Sequence, residues 1–116
     1  MIGTLVIGGI LLGAILLAVW DKIPKIWRKI CSFVKNVVSF FKNKERLEQL
    51  KQDNALKAIV IKEKLESGEF RTVNCLFNTD KNEIVNPEKD ALAITSSQID
   101  PELEQAFGDK DMIVLS

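Results

Sequence analysis

Residues Ile2 to Trp20, IGTLVIGGILLGAILLAVW, carry no charge and a single polar side chain, Thr4. As a helix this stretch would be roughly 28 Å long, close to the bilayer's hydrocarbon thickness of about 30 Å. The run therefore predicts one transmembrane helix over residues 1–20. A cleaved secretory leader fits it less well. No Lys or Arg precedes the run, the run exceeds a usual leader core, and Leu16 stands near Ala18 where a small residue is wanted.

The flanks set the expected orientation. Lys22, Lys25, Arg28 and Lys29 follow the run immediately, against one acid, Asp21. The positive-inside bias then predicts a plasma (inner) membrane protein with its N-terminus outside and residues 21–116 in the cytoplasm. Trp20 and Trp27 fall where indole rings favour the membrane interface. Gly9 and Gly13 form a GxxxG pair, and Ala14 and Ala18 repeat the spacing on a neighbouring stripe. Small residues four apart let two helices approach closely, so these four positions are the expected helix-packing site.

Residues 21–43, DKIPKIWRKICSFVKNVVSFFKN, place Ile23, Ile26, Trp27, Ile30, Phe33, Val34, Val37, Val38 and Phe41 at three- and four-residue steps. That spacing predicts a basic amphipathic helix, with Lys22, Lys25, Arg28, Lys29, Lys35 and Lys42 around the rest of its circumference. Joined to a span, such a helix is expected to lie in the interface, its lysines toward anionic headgroups. Packing on partner helices and lining a pore are the alternatives. Cys31 reads as a small hydrophobe, or as an acylation site beside the membrane.

From 44 to 68 the composition favours helix, with Leu47, Leu50, Asn54, Ala58, Ile61 and Leu65 on one edge and Ser67-Gly68 as a stop. This connecting helix is expected to serve as a stalk or to fold back on the terminal domain. Residues 69–116 read as a small acidic α+β domain in the order ββ-β-α-β. Phe70 to Phe77 is a strand, Asn78 to Asn82 a turn, and Ile84-Val85 a return strand. Ala91 to Thr95 forms a third strand, Asp100-Pro101-Glu102 starts a helix that Gly108 stops, and Met112 to Leu115 is a last strand. Residues 69–116 hold ten acids and four bases, whereas residues 21–51 hold nine bases and three acids. An upright arrangement follows, basic at the membrane and acidic away from it.

Composition narrows the chemistry. The chain's 116 residues include sixteen basic and sixteen acidic side chains, no His, no Tyr and two Cys. Without His there is no imidazole base, Ser-His pair or imidazole metal ligand, and two Cys cannot build a four-thiolate zinc site. Asn78, Asp80 and Asn82 match alternate positions of a calcium loop, but Glu83 replaces its Gly and Lys89 its bidentate Glu. Gly3 and Gly8 have P-loop spacing without the Lys-Ser/Thr that must come after it. Glu102, Glu104, Asp109 and Asp111 read as solvated surface, and Cys75 as core. No catalytic residue, cofactor or metal is expected. Zero net charge and the lack of an aromatic-basic platform argue against nucleic acid.

The expected function is a non-enzymatic, single-pass membrane anchor or accessory subunit presenting a small interaction domain. Its expected partners are an anionic lipid surface and a protein, which includes a second copy of itself. The alternative is a membrane-perturbing effector, pore-forming, toxin-like or holin-like, built from the span and the amphipathic helix.

Overall fold

A computed structural model describes residues 6–7 and 10–115, with side chains from 15 to 115. A short hairpin pairs β1 (Val6–Ile7) with β2 (Ile10–Leu11), and α1 (Leu12–Ala18) comes next. A 3-10 turn over Trp20–Lys22 leads past Pro24 into β3 (Lys25–Cys31). A π-helical stretch, Phe33–Val38, continues as α2 (Ser39–Phe41), succeeded by α3 (Lys44–Gln52). The remainder is β4 (Leu56–Lys64), β5 (Phe70–Asn78), β6 (Glu83–Ile84), β7 (Ala91–Ile99), α4 (Pro101–Phe107) and β8 (Met112–Leu115).

One mixed sheet organises the chain in the order β3-β7-β5-β4-β8. β3 runs parallel to β7, and every other neighbouring pair is antiparallel. β6 pairs with the end of β5, where β7 has not yet begun. Both faces of the sheet are apolar, because side chains alternate along each strand. Ile59, Ile61, Val73, Cys75 and Phe77 occupy one face, under Leu16 of α1 and Ile23. Ala58, Val60, Leu76 and Ile94 occupy the other, under Val37, Phe40 and Phe41 and under Leu103 and Phe107 of α4. Three layers result: α1, sheet, and the remaining helices.

The transmembrane helix expected over residues 1–20 is corrected by this arrangement. Among the described residues, no helix is long and apolar enough to cross a membrane. α1 has seven residues, which is about 10 Å against the roughly 30 Å required. Its apolar character serves the sheet: a strand layer that is apolar on both sides needs cover on both sides. The single-pass topology, the plasma-membrane location and the N-terminus-outside orientation rested on the span, and they fall with it.

The basic amphipathic helix over 21–43 is likewise replaced, by a strand and a later helical stretch. Ile23 is buried with α1, Ile26 is half-buried on the opposite face, and Trp27 and Ile30 are exposed. The three- and four-residue steps do not form one stripe, since β-branched and aromatic residues here suit a pleated strand. The connecting helix over 44–68 ends at Gln52. Asp53 turns the chain, its Oδ1 accepting from Ala55 N at 2.9 Å. The run Ala58 to Ile61 then enters the sheet between β5 and β8, where both its sides are buried. Ser67-Gly68 sits in the β4–β5 turn instead of ending a helix. Leu65 N donates to Glu69 O at 2.8 Å, and Gly68 adopts φ +90°, which favours glycine.

Beyond residue 69 the local signals meet their elements. Asn78 Oδ1 accepts from Asp80 N and Lys81 N, both at 2.9 Å, closing the turn after β5. Asp100 caps α4, its Oδ1 accepting from Leu103 N at 2.9 Å, and Pro101 occupies the first turn. The return strand is only Glu83–Ile84, and β7 runs on to Ile99. The upright charge arrangement is not present either. Basic β3 and β7 of the acidic half are adjacent strands of a single sheet.

Candidate functional site

The four helix-packing positions do not assemble a described site. Gly9 lies outside the described residues. Gly13 and Ala14 belong to α1, and Ala18, at its last turn, is exposed. The expected interface residues scatter. Trp20 lies in the 3-10 turn with Lys25 Nζ 4.8 Å and Arg71 Cζ 4.5 Å from its ring. Lys22 is exposed beside it, Lys35 sits in the π-helical stretch, and Lys42 lies just past α2. Lys25, Trp27, Arg28 and Lys29 fall together on β3.

β3 is the notable surface. It closes one side of the sheet, and among the described residues no strand pairs with its outer side. Ile26 packs toward the layer of Val37 and Phe40 and Trp27 points away from it, but the alternation does not run through the strand, since Cys31 packs on the same side as Ile26. Trp27 is 57% exposed and Ile30 43%. Trp27 Nε1 donates to Glu69 Oε2 at 3.3 Å, which orients the indole. Lys25 turns back, donating to Trp20 O and Ile23 O at 2.8 and 2.9 Å. Arg28 and Lys29 are exposed and make no ion pair among the described residues. β7 does not neutralise them: the residues it sets against β3 are Ala93, Ile94, Thr95, Ser96, Gln98 and Ile99. Among the described residues the edge therefore offers backbone that no further strand pairs, beside two cations and two exposed apolar side chains.

Little on the described surface has the makings of a reaction centre. Complete burial pushes the Cys75 thiol up to about 12, so it stays protonated near neutrality. Burial also raises Cys31, opposed by the Thr72 hydroxyl 3.2 Å away and assisted by the negative charge of Asp100. Glu102, Glu104, Asp109 and Asp111 are all exposed. Among the described residues, no three Cys, Asp or Glu side chains converge in a way that could hold a metal ion.

Two features were invisible to local patterns. One is a buried ion pair between Arg46 of α3 and Asp90 before β7, at 3.2 Å. The other is an apolar groove of about 390 Å³ bounded by α2, α3, β4 and β8. Both join residues more than 40 positions apart, and no periodicity within one segment reports such a contact. No protein-family model, curated protein or solved structure matches the chain.

Proposed function

We propose that this chain is a non-enzymatic interaction module that holds a protein partner by adding an acidic, extended segment to β3. The observation that carries this reading is the open outer edge of β3, with Arg28 and Lys29 exposed and unpaired among the described residues. Edge strands take up extended peptides through main-chain hydrogen bonds, while flanking side chains choose the partner. Cations here favour acidic residues in the added strand, and the exposed Trp27 and Ile30 supply apolar contact beside it.

Two other partners would meet the same surface. A second copy pairing β3 with β3 would set like charges against each other, which disfavours that contact. A lipid surface would use Trp27, Ile30, Arg28 and Lys29 without the backbone edge, and the vesicle arm of the test separates it from a peptide.

The test uses the full chain, a twelve-residue peptide alternating Glu and Val, its Lys-Val counterpart, and phosphatidylglycerol vesicles. Backbone amide shifts locate binding. The Glu-Val peptide is expected to shift β3 amides saturably and the Lys-Val peptide to leave them unmoved. The R28E/K29E variant is expected to lose the interaction, and added salt to weaken it. Binding to vesicles but to neither peptide would overturn the reading in favour of a lipid partner. Concentration-dependent β3 shifts without any peptide would overturn it in favour of self-pairing.

A further inference from the structure

The groove bounded by α2, α3, β4 and β8 has a composition that specifies a ligand. Phe41, Leu50 and Leu115 give it an apolar lining, Leu47 is partly exposed at it, and Lys42 and Lys51 bring two cations. A second hollow of about 330 Å³ shares Leu50, Ala58 and Leu115 and extends the space toward Lys57. Among the described residues, no carboxylate lines either hollow. Lys42 and Lys51 are exposed and make no ion pair among the described residues.

The fold explains why the space is there. Leu47 and Leu50 stand three apart on α3, hence on one side of that helix. β4 offers only the methyl of Ala58 at the register position set between Leu76 of β5 and Leu115 of β8. A larger residue at 58 would occupy the room that is left.

We propose that this groove binds a single-chain amphiphile with an anionic head, of the fatty-acid class, with the chain along the leucines and the carboxylate at Lys42 and Lys51. Size, polarity and charge agree on this occupant. The volume falls in the range of about 300–1,000 Å³ usual for small-molecule sites. At about 30 Å³ for a group the size of a water molecule, the first hollow alone holds roughly a dozen such groups. A neutral apolar guest would leave both ammonium groups unused, and a compact anion such as phosphate would leave the leucines unused. Two cations beside an apolar lining, in no ion pair among the described residues, complement one carboxylate on one alkyl chain. None of the residues of β3 lines the groove, so this site is independent of the edge strand.

The test tracks methyl resonances of the full chain titrated with octanoate, decanoate and decanol, all below their aggregation thresholds. Decanoate is expected to shift the methyls of Leu47, Leu50 and Leu115 saturably and to leave those of Leu16 and Ile59, on the opposite sheet face, in place. Burying two further methylenes is expected to make decanoate bind roughly tenfold tighter than octanoate. Decanoate is expected to outbind decanol on the native protein, and the K42E/K51E variant is expected to abolish that preference while still taking decanol. Equal affinity for decanoate and decanol on the native protein would overturn the assignment of the head group. Shifts spread equally over Leu16 and Ile59 would overturn the site itself as general detergency. Both outcomes are read on the native chain, so neither depends on a variant folding.

Discussion

Arg46 of α3 donates from Nε to Oδ1 of Asp90 at 3.2 Å, with Asp90 only 2% exposed at its side chain. The same guanidinium donates to Phe40 O at 3.0 Å and Lys89 O at 2.7 Å, and its Cζ lies 3.8 Å from the Phe40 ring centroid. Gln49 and Asn86 complete the carboxylate at 3.1 and 3.3 Å. Each of these Arg46 donors ties α3 to α2 or to the segment before β7. Removing one partner strands the other, so Arg46→Met and Asp90→Leu are each expected to cost about 3–5 kcal/mol. Urea unfolding of both variants and of the double variant measures this. The double variant is expected to lose much less than the sum of the two, and simple additivity would refute the coupling.

Asp100 serves two helical segments at once. Its Oδ1 caps α4 through Leu103 N at 2.9 Å, and its two oxygens lie 3.2 and 3.3 Å from Phe33 N, which opens the π-helical stretch. Asp100→Ala is expected to destabilise by roughly 1–3 kcal/mol, since it removes a cap and leaves a second amide without an acceptor. Amide exchange is expected to accelerate at Phe33 as well as at Leu103. Acceleration confined to α4 would show that the second role is absent.

Leu16 tests the layer that α1 supplies. It is fully buried against the face formed by Ile59, Ile61, Val73 and Cys75. Leu16→Ala is expected to lower folding stability by about 2–5 kcal/mol, the cost of a large-to-small change in a packed core. Unchanged stability in the full chain would mean that α1 does not cover that face.

Both thiols are expected to be unreactive in the native chain. With Cys75 raised from 9.0 to about 12, its native thiolate population at pH 8.5 is about a thousandfold below that of an exposed Cys. A disulfide reagent is expected to label neither cysteine until urea unfolds the protein. The raised value also gives the pH dependence its sign. Between pH 9 and 12 the native state holds a proton that the unfolded state has released, so stability falls as pH rises through that window. A stability that rose from pH 9 to 11 would contradict the burial of Cys75.

Trp27 reports the charge around the edge strand. With Trp20 replaced by Phe, iodide is expected to quench the remaining emission more strongly than caesium does, because Arg28 and Lys29 outnumber the single Glu69 carboxylate at the indole. Raising the salt should shrink that difference as screening sets in. Equal quenching by the two ions would remove the electrostatic basis for an acidic partner.

Beyond residue 69 several elements were readable from local chemistry. Asp100-Pro101 starts α4, Asn78 closes the turn after β5, and Phe70 to Phe77 forms a strand, because caps, turns and β-branched runs act over a few residues. Part of the edge site was also legible, since Trp27, Arg28 and Lys29 stand out as a basic and aromatic cluster. Its geometry was not, because the same spacing suits a helix and a strand.

Composition established the absence of His and the two-cysteine limit, and residue order the separation of basic and acidic stretches, since these need no coordinates. Between Leu12 and Lys64, tertiary pairing decided the elements other than α3, whose helix the local composition and the Asn43 cap favour. An apolar run has the same affinity for any water-free surface, and a sheet with two apolar faces competes for it as a bilayer does. Ile59, Val60 and Ile61 become a strand because β5 and β8 bind their backbones on both sides, and burial there outweighs the helix preference of the flanking Lys and Glu. The Arg46–Asp90 pair and the groove under Leu47 and Leu50 arise only after that sheet exists, from residues that chain order keeps far apart.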